Sequence, residues 1–277
     1  MSKLIDGRKI AEKIKDNITK EIFAIKKRPN LAIILFAGRS DSELYVSLKE
    51  KEAKKVGIDT HLYKMASETS EEELLNTITY LNNDDLIDGI LVQLPLPKHI
   101  DTDKVIRAIS PKKDIDGFHP ENIKILDSDN PEVLSPVYGA IIEMLNDIKY
   151  ELKNKKVVII SNSNIFGDGL VKVLQRLGAS VQSCHPDDKD LKKISKTADV
   201  LISAVGKPRF IKKDFIKKDS ILIDIGITKE NKSVRGDFDF EDVENYCAYI
   251  SPVPGGVGPL TIAMTFQNTL NFFKKKQ

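Results

Sequence analysis

Short apolar runs alternate with stretches of helical periodicity along most of this chain. LAIILFAG (31–38) is continuously apolar and reads as a buried strand, and a helix over 41–56 follows it. HLYKM (61–65) gives a second strand, EEELLNTITYLNN (71–83) a helix, and DGILVQLPLP (88–97) a third strand that stops on its prolines. After KVIRAIS the pattern breaks into an irregular stretch, SPKKDIDGFHPENI (110–123). SPVYGAIIEMLNDIKYEL (135–152) then reads as one long helix entered through Pro136. Residues 155–188 hold a strand, a small-residue turn, a helix and a second strand, which is a βαβ unit of roughly 30 residues. ADVLISAVG (198–206) and SILIDIGI (220–227) supply two more buried strands. The first 22 residues read as an amphipathic helix, and a last helix begins near Pro259. Strands alternating with helices in this way predict a mostly parallel sheet with helices over it, an α/β fold.

Length turns this pattern into two domains, since 277 residues exceed what one core commonly serves. The pattern divides at 1–137 and 138–258, with the helix 259–277 returning to the first domain. Hydrophobic residues make up 41% and charged residues 30%, enough for real cores in a water-soluble chain. The 43 Lys+Arg against 41 Asp+Glu leave a net charge of +2, which argues against a dedicated nucleic-acid binder. No apolar run approaches the ~18–20 residues that span a bilayer, and the charged N-terminus does not read as a signal peptide. Two cysteines and histidines at 61, 99, 119 and 185 show no ligand spacing, so no metal site is expected and a reducing cytoplasm is the expected compartment.

Several places could carry chemistry. The turn SNSNIFGDG (161–169) sits where a dinucleotide's pyrophosphate meets a helix N-terminus, although only Gly167 and Gly169 are glycines. Ser161 and Ser163 could offer hydroxyls there, and the alternative is a plain tight connection. Beyond the second strand of that unit, Asp187 stands where an acid would bind a ribose 2′-hydroxyl and favour NAD; a solvated loop is the bland alternative. On the helix 43–58, Lys49 falls among Tyr45, Val46, Ala53 and Val56 on the inward face. An amine held there loses its preference for charge and can serve as an acid/base, unless it only snorkels along an apolar stem. Gln93 interrupts a buried strand, and Asp114 and Asp116 stand two apart in KKDIDG, to share a face or to form a solvated turn. Last, SPVPGGVGP (251–259) alternates stiff and permissive residues directly before a helix, as a structural turn or as a rigid loop beside a flat ligand.

Taken together, YVSLKEK, DGILVQLPLP, KKDIDGFHPEN, AVGKP, LIDIGI, GDFDF and above all PVPGGVGPLTIAM resemble the bifunctional methylenetetrahydrofolate dehydrogenase/cyclohydrolase family over nearly the whole chain. The resemblance implies an N-terminal three-layer α/β catalytic domain and a Rossmann-type dinucleotide-binding domain, linked by two long helices with a folate cleft between. It implies oxidation of 5,10-methylenetetrahydrofolate with a nicotinamide cofactor, then hydrolysis to 10-formyltetrahydrofolate, by a homodimer formed through the Rossmann domain. On this likeness Lys49 is the acid/base of the water step, Gln93 its hydrogen-bond partner, Asp116 the holder of the pterin's donor edge and Tyr45 the stacking ring. Pro254, Gly255 and Gly256 would form the loop beside the folate. Ser161, Asn162, Ser163, Pro186, Ile227 and Thr261 would bind the cofactor.

This chain departs from the family in three places. LSPVYG stands where the family has PCTP, and SNSNIFGDG replaces the family's G-R-S-x-x-V-G-x-P, putting Asn162 at an arginine that binds the NADP 2′-phosphate. Pro186 stands where the family often has a serine after the cysteine–histidine pair. NADP is the expected cofactor, with NAD open given Asn162 and Asp187. A same-family dehydrogenase without efficient hydrolysis, and a non-catalytic nucleotide sensor on the same fold, are the alternatives.

Overall fold

A computed structural model describes residues 3–38, 40–128, 131, 133–230 and 233–277. In chain order the elements are β1 (Lys3–Leu4), α1 (Gly7–Ile25), β2 (Asn30–Phe36), α2 (Ser40–Val56), β3 (Asp59–Met65), α3 (Glu71–Asn83) and β4 (Gly89–Val92). There follow α4 (Thr102–Ala108), α5 (Pro120–Lys124), α6 (Pro136–Asp147), β5 (Lys156–Ser161), α7 (Asn164–Arg176), β6 (Ser180–Cys184) and α8 (Leu191–Ser195). The chain ends with β7 (Val200–Ala204), β8 (Ile221–Asp224), β9 (Thr228–Glu230), β10 (Ser233–Arg235), α9 (Phe240–Val243), β11 (Tyr249–Ile250) and α10 (Val257–Lys276).

The fold comprises two α/β units. One takes residues 12–125, 131–136 and 262–277; the other takes 1–11, 126–130 and 137–261. The first holds a parallel sheet of order β3-β2-β4. Its centre, β2, is buried on both faces, as a central parallel strand must be. Leu31, Ile33 and Leu35 pack with Val46, Ala53 and Val56 of α2 and with Phe266 and Leu270 of α10. Ala32, Ile34 and Phe36 point the other way, against Leu74, Ile78 and Leu81 of α3. Helix–sheet–helix layering therefore follows from period-two alternation within one apolar run. The bounds of α3 follow from a local signal: the Ser70 hydroxyl accepts from the Glu73 amide at 3.2 Å and closes the first turn.

The second unit is a six-stranded parallel sheet of order β1-β11-β8-β7-β5-β6. Crossing out from β5 to β6 on one side and to β7 and β8 on the other makes it doubly wound, with the order reversing at β5. An antiparallel β9–β10 ribbon follows β8.

Three expectations change. Residues 1–11 belong with the second unit, because β1 pairs in parallel with β11 and Gly7 begins the helix only after it. The long helix 135–152 stops at Asp147: Lys149 turns left-handed at φ 54°, and the Tyr150 amide bonds back to the Leu145 carbonyl at 2.9 Å. The strand 88–97 is only β4, since Pro95 and Pro97 offer no amide to a ladder.

Candidate active site

In the first unit α2 carries Tyr45 and Lys49 four residues apart, so both side chains fall on one side. That side faces the core, and Lys49 is 8% exposed. Its ammonium lies 5.6 Å from the centre of the half-buried Tyr45 ring. Lys49 Nζ donates to Gln93 Oε1 at 3.0 Å, while Gln93 Nε2 donates to the Leu94 carbonyl at 2.8 Å. The amide is thus oriented with its oxygen towards the amine. Burial pushes the Lys49 pKa down from its ordinary value, and the negative charge of Asp116 opposes this. Burial pushes Asp116 up to about 6, an effect that the Lys49 charge moderates and the Asp114 charge reinforces. Amine and carboxylate are therefore drawn towards each other's titration range, as an acid/base pair working near neutrality requires.

The loop bearing Asp116 is fixed from several directions. Its preceding segment lies against β4, where the Ile90 amide donates to the Lys113 carbonyl at 2.7 Å. Asp114 does not lie in a solvated turn. It is 2% exposed, and its carboxylate accepts from the amides of Gly117 (3.0 Å) and His119 (2.8 Å) and from Asn122 Nδ2 (3.0 Å). Gly117, at φ 68°, makes the turn that brings those amides round. Asn268 of α10 donates to the carbonyls of Ile115 (2.9 Å) and Leu134 (2.8 Å). The sequence did not single out Asn268; its only signal is a buried amide on the apolar side of a helix.

In the second unit the turn between β5 and α7 is shorter than 161–169, because α7 starts at Asn164 and takes in both glycines. Those glycines serve packing. A Cβ at Gly167 would lie 2.7 Å from Ser183 Oγ, and one at Gly169 would lie 2.4 Å from the Tyr138 hydroxyl. Ser161 is buried and accepts from the Ser163 amide at 3.0 Å; Ser163 caps α7 by accepting from Phe166 N at 3.3 Å. Asn162 Nδ2 donates to the Val205 carbonyl at 2.6 Å. The first turn of α7 faces the carboxyl ends of the strands, where Pro186 is buried and Ile227 half exposed. Asp187 is exposed beside Lys207 (3.7 Å) and His185 (3.5 Å), so a cation offsets its charge. Thr261 Oγ1 donates to the Gly258 carbonyl at 2.6 Å.

The 251–256 loop is built more for packing than its composition suggests. A Cβ at Gly256 would lie 2.6 Å from the Pro252 carbonyl oxygen, and one at Gly7 would lie 1.9 Å from the Gly256 oxygen. Arg8 N donates to the Gly255 carbonyl at 3.2 Å. Gly255 is left-handed at φ 112°, and Pro254 is exposed. At Gly256, then, the protein's own backbone is what makes the close approach.

No helix among the described residues is long and apolar enough to cross a membrane, and no group of three or more metal-ligating side chains occurs among them.

Residues 5–116 match the sequence model for the catalytic domain of tetrahydrofolate dehydrogenase/cyclohydrolase, and residues 136–277 match that for its NAD(P)-binding domain. The bifunctional protein FolD of Lachnoclostridium phytofermentans is 42% identical, over the full length of both chains. A solved bifunctional FolD from Campylobacter jejuni has a TM-score of 0.95 at 36% identity, covering both chains fully. The Trypanosoma brucei dehydrogenase-cyclohydrolase, solved with NADP cofactor and an inhibitor, has a TM-score of 0.95 at 32% identity, covering 99% of this chain and 98% of its own.

Proposed function

Because the chain belongs to the tetrahydrofolate dehydrogenase/cyclohydrolase family, we propose that Lys49, Gln93 and Asp116 carry the chemistry of its two reactions on one folate. The protein oxidises 5,10-methylenetetrahydrofolate to the methenyl form with NADP, then hydrolyses that product to 10-formyltetrahydrofolate. The observation that carries the assignment of roles is the buried amine of Lys49 held on the oxygen of Gln93.

In the water step, neutral Lys49 takes a proton from the water that attacks the methenyl carbon. The new C–O bond gives a carbinolamine, whose hydroxyl then gives up its proton as the carbon–N5 bond opens and N5 takes a proton, leaving the formyl group on N10. Gln93 accepts from the amine and so fixes where its lone pair points. Asp116, ionised above about pH 6, accepts from the pterin's N–H edge and sets the ring's register. Tyr45 offers a half-buried aromatic face on which that ring stacks. Holding one carbon in one place for two reactions is catalysis largely by positioning.

NADP, when bound, accepts the hydride from the methylene carbon. The residues at the β5–α7 turn suit a dinucleotide: Ser163 caps a helix whose N-terminus follows the carboxyl end of β5, and Gly167 and Gly169 let that helix pack closely. Asn162, Pro186, Ile227 and Thr261 complete the cofactor set, and Pro254 to Gly256 contribute to folate binding. Lys207 beside Asp187 softens the acid that would otherwise repel a 2′-phosphate. The reading extends to a cytoplasmic homodimer, supported by the family resemblance alone.

The test is absorbance-monitored turnover of 5,10-methylenetetrahydrofolate with NADP and NAD in parallel, followed by decay of the methenyl band. Accumulated methenyl product would indicate a dehydrogenase without useful hydrolysis. Folate binding with no turnover would indicate a sensor.

A further inference from the structure

Two buried carboxylates with no part in the roles above lie at the carboxyl ends of β7 and β8. Asp224 ends β8, and Asp237 follows β10; they are 4% and 0% exposed. Asp224 accepts from the amides of Gly226, Asp237 and Phe238, each at 3.0 Å, and so fixes the segment that carries Asp237. Asp237 in turn reaches the turn that leaves β7. Its Oδ2 accepts from Ser203 Oγ and the Val205 amide, both at 2.7 Å, and its Oδ1 from the Lys207 amide at 3.0 Å. Neighbouring backbone leaves no slack. A Cβ at Gly226 would lie 2.2 Å from the Asp237 carboxyl, and one at Gly236 would lie 2.1 Å from Asp224 Oδ2.

The turn 205–207 is held at its carbonyls as well. Asn162, at the exit of β5, donates to the Val205 carbonyl at 2.6 Å, and Thr228, beyond β8, donates to the Gly206 carbonyl at 3.1 Å. One three-residue turn is thereby tied to the exits of three parallel strands. Gly206, left-handed at φ 70°, would place a Cβ in open space. The turn is rigid behind and open in front, at the edge of the sheet where such folds take their nucleotides.

We propose that Asp237 is a positioning residue for the nicotinamide cofactor: its carboxylate sets the shape of the 205–207 turn, and the turn contacts the cofactor. This rests on the nucleotide-binding reading above. A carboxylate suits the task because three donors converge on it and it has acceptor capacity for all of them. An amide of the same size keeps one oxygen and points N–H at a donor.

The experiment measures NADPH binding by its fluorescence in Asp237→Asn, Ser203→Ala and Thr228→Val, alongside steady-state kinetics. Asp237→Asn is expected to weaken NADPH about tenfold and to raise the NADP KM in step, with kcat within about threefold. Methenyl hydrolysis, assayed without nucleotide, is expected to stay at the parent's rate. Ser203→Ala and Thr228→Val each remove one hydrogen bond from the same frame and are expected to weaken NADPH about two- to fivefold, which keeps the test decisive if Asp237→Asn does not fold. Parent-like NADPH affinity in all three variants overturns the proposal. So does an Asp237→Asn protein that loses hydrolysis in proportion to nucleotide affinity, since that marks a general structural prop. A parent that binds NADPH but oxidises no folate refutes the enzymatic reading and leaves the binding comparison able to decide this one.

Discussion

Asn268 holds the carbonyl of Ile115 from 153 residues away, at 2.9 Å. That carbonyl belongs to the peptide bond joining Ile115 to Asp116, so α10 helps fix the backbone that carries Asp116, the residue proposed to hold the pterin. A second bond, to Leu134 at 2.8 Å, uses the same amide. Asn268→Leu should cost about 1–3 kcal/mol, because two carbonyls lose their donor in a buried place. It should also raise the KM for folate. Urea unfolding together with a folate titration checks both; lost stability with an unchanged KM would reduce Asn268 to a structural tie.

Lys49→Ala should lower methenyl hydrolysis by about 100-fold or more, in keeping with removal of a general base. The assay follows decay of the methenyl band above its spontaneous rate. Hydrolysis at the parent's rate would take Lys49 out of the water step.

The pH dependence of the parent follows from Asp116. Its folded pKa, about 6, lies above its ordinary value, so the folded state binds the proton more tightly than the unfolded chain does. That stabilisation is fully present below about pH 4 and is lost as pH rises through about 6. Asp116→Asn removes the slope. Its stability relative to the parent should rise between about pH 4 and 6, then level off, by on the order of 1–3 kcal/mol in total. The same variant should bind folate poorly at every pH, while the parent's folate affinity should fall as pH drops below about 6. Parallel stability curves for the two proteins would show that Asp116 is not strained by burial.

Much of this could be read from the chain because the signals are local. The run LAIILF is apolar at every position, so a strand buried on both faces was its natural outcome, and Ser70 with Glu73 marked the start of α3. Lys49 stood out because helical spacing places a charged residue among Val46, Ala53 and Val56. What could not be read depends on distant partners. The strand at Lys3–Leu4 exists only because Tyr249–Ile250 pairs with it. Asn268 and Asp237 resemble any polar residues until the carbonyls and amides they hold are in view. The end of α6 was missed for another reason: Lys149 adopts a left-handed conformation that its residue type does not advertise.

The same dependence on distant partners makes Gly7 a sharp test of the 251–256 loop. Alanine there would place a Cβ 1.9 Å from the Gly256 carbonyl oxygen and 2.6 Å from its carbon, backbone atoms that cannot turn aside as a side chain would. Gly7→Ala should cost about 1–3 kcal/mol or more through forced displacement, read as a fall in Tm. A parent-like Tm would mean that the loop yields easily and is not the rigid element its prolines suggest.

The order in which the chain visits its two units has a consequence for synthesis. Residues 1–11, 126–130 and 137–261 lie in one, and residues 12–125, 131–136 and 262–277 in the other. Phe266, Leu270, Phe272 and Phe273, made long after the strands they pack on, fill the core beneath Lys49's helix. A nascent chain therefore cannot close its catalytic core until residues 266–273 have been made, whereas the nucleotide-binding sheet is complete some way earlier, at β11. Interrupted products would carry an assembled nucleotide fold beside an open hydrophobic sheet, an exposed surface of the kind that quality-control proteases and chaperones recognise. A chain that stops short of α10 is left without one layer of that core.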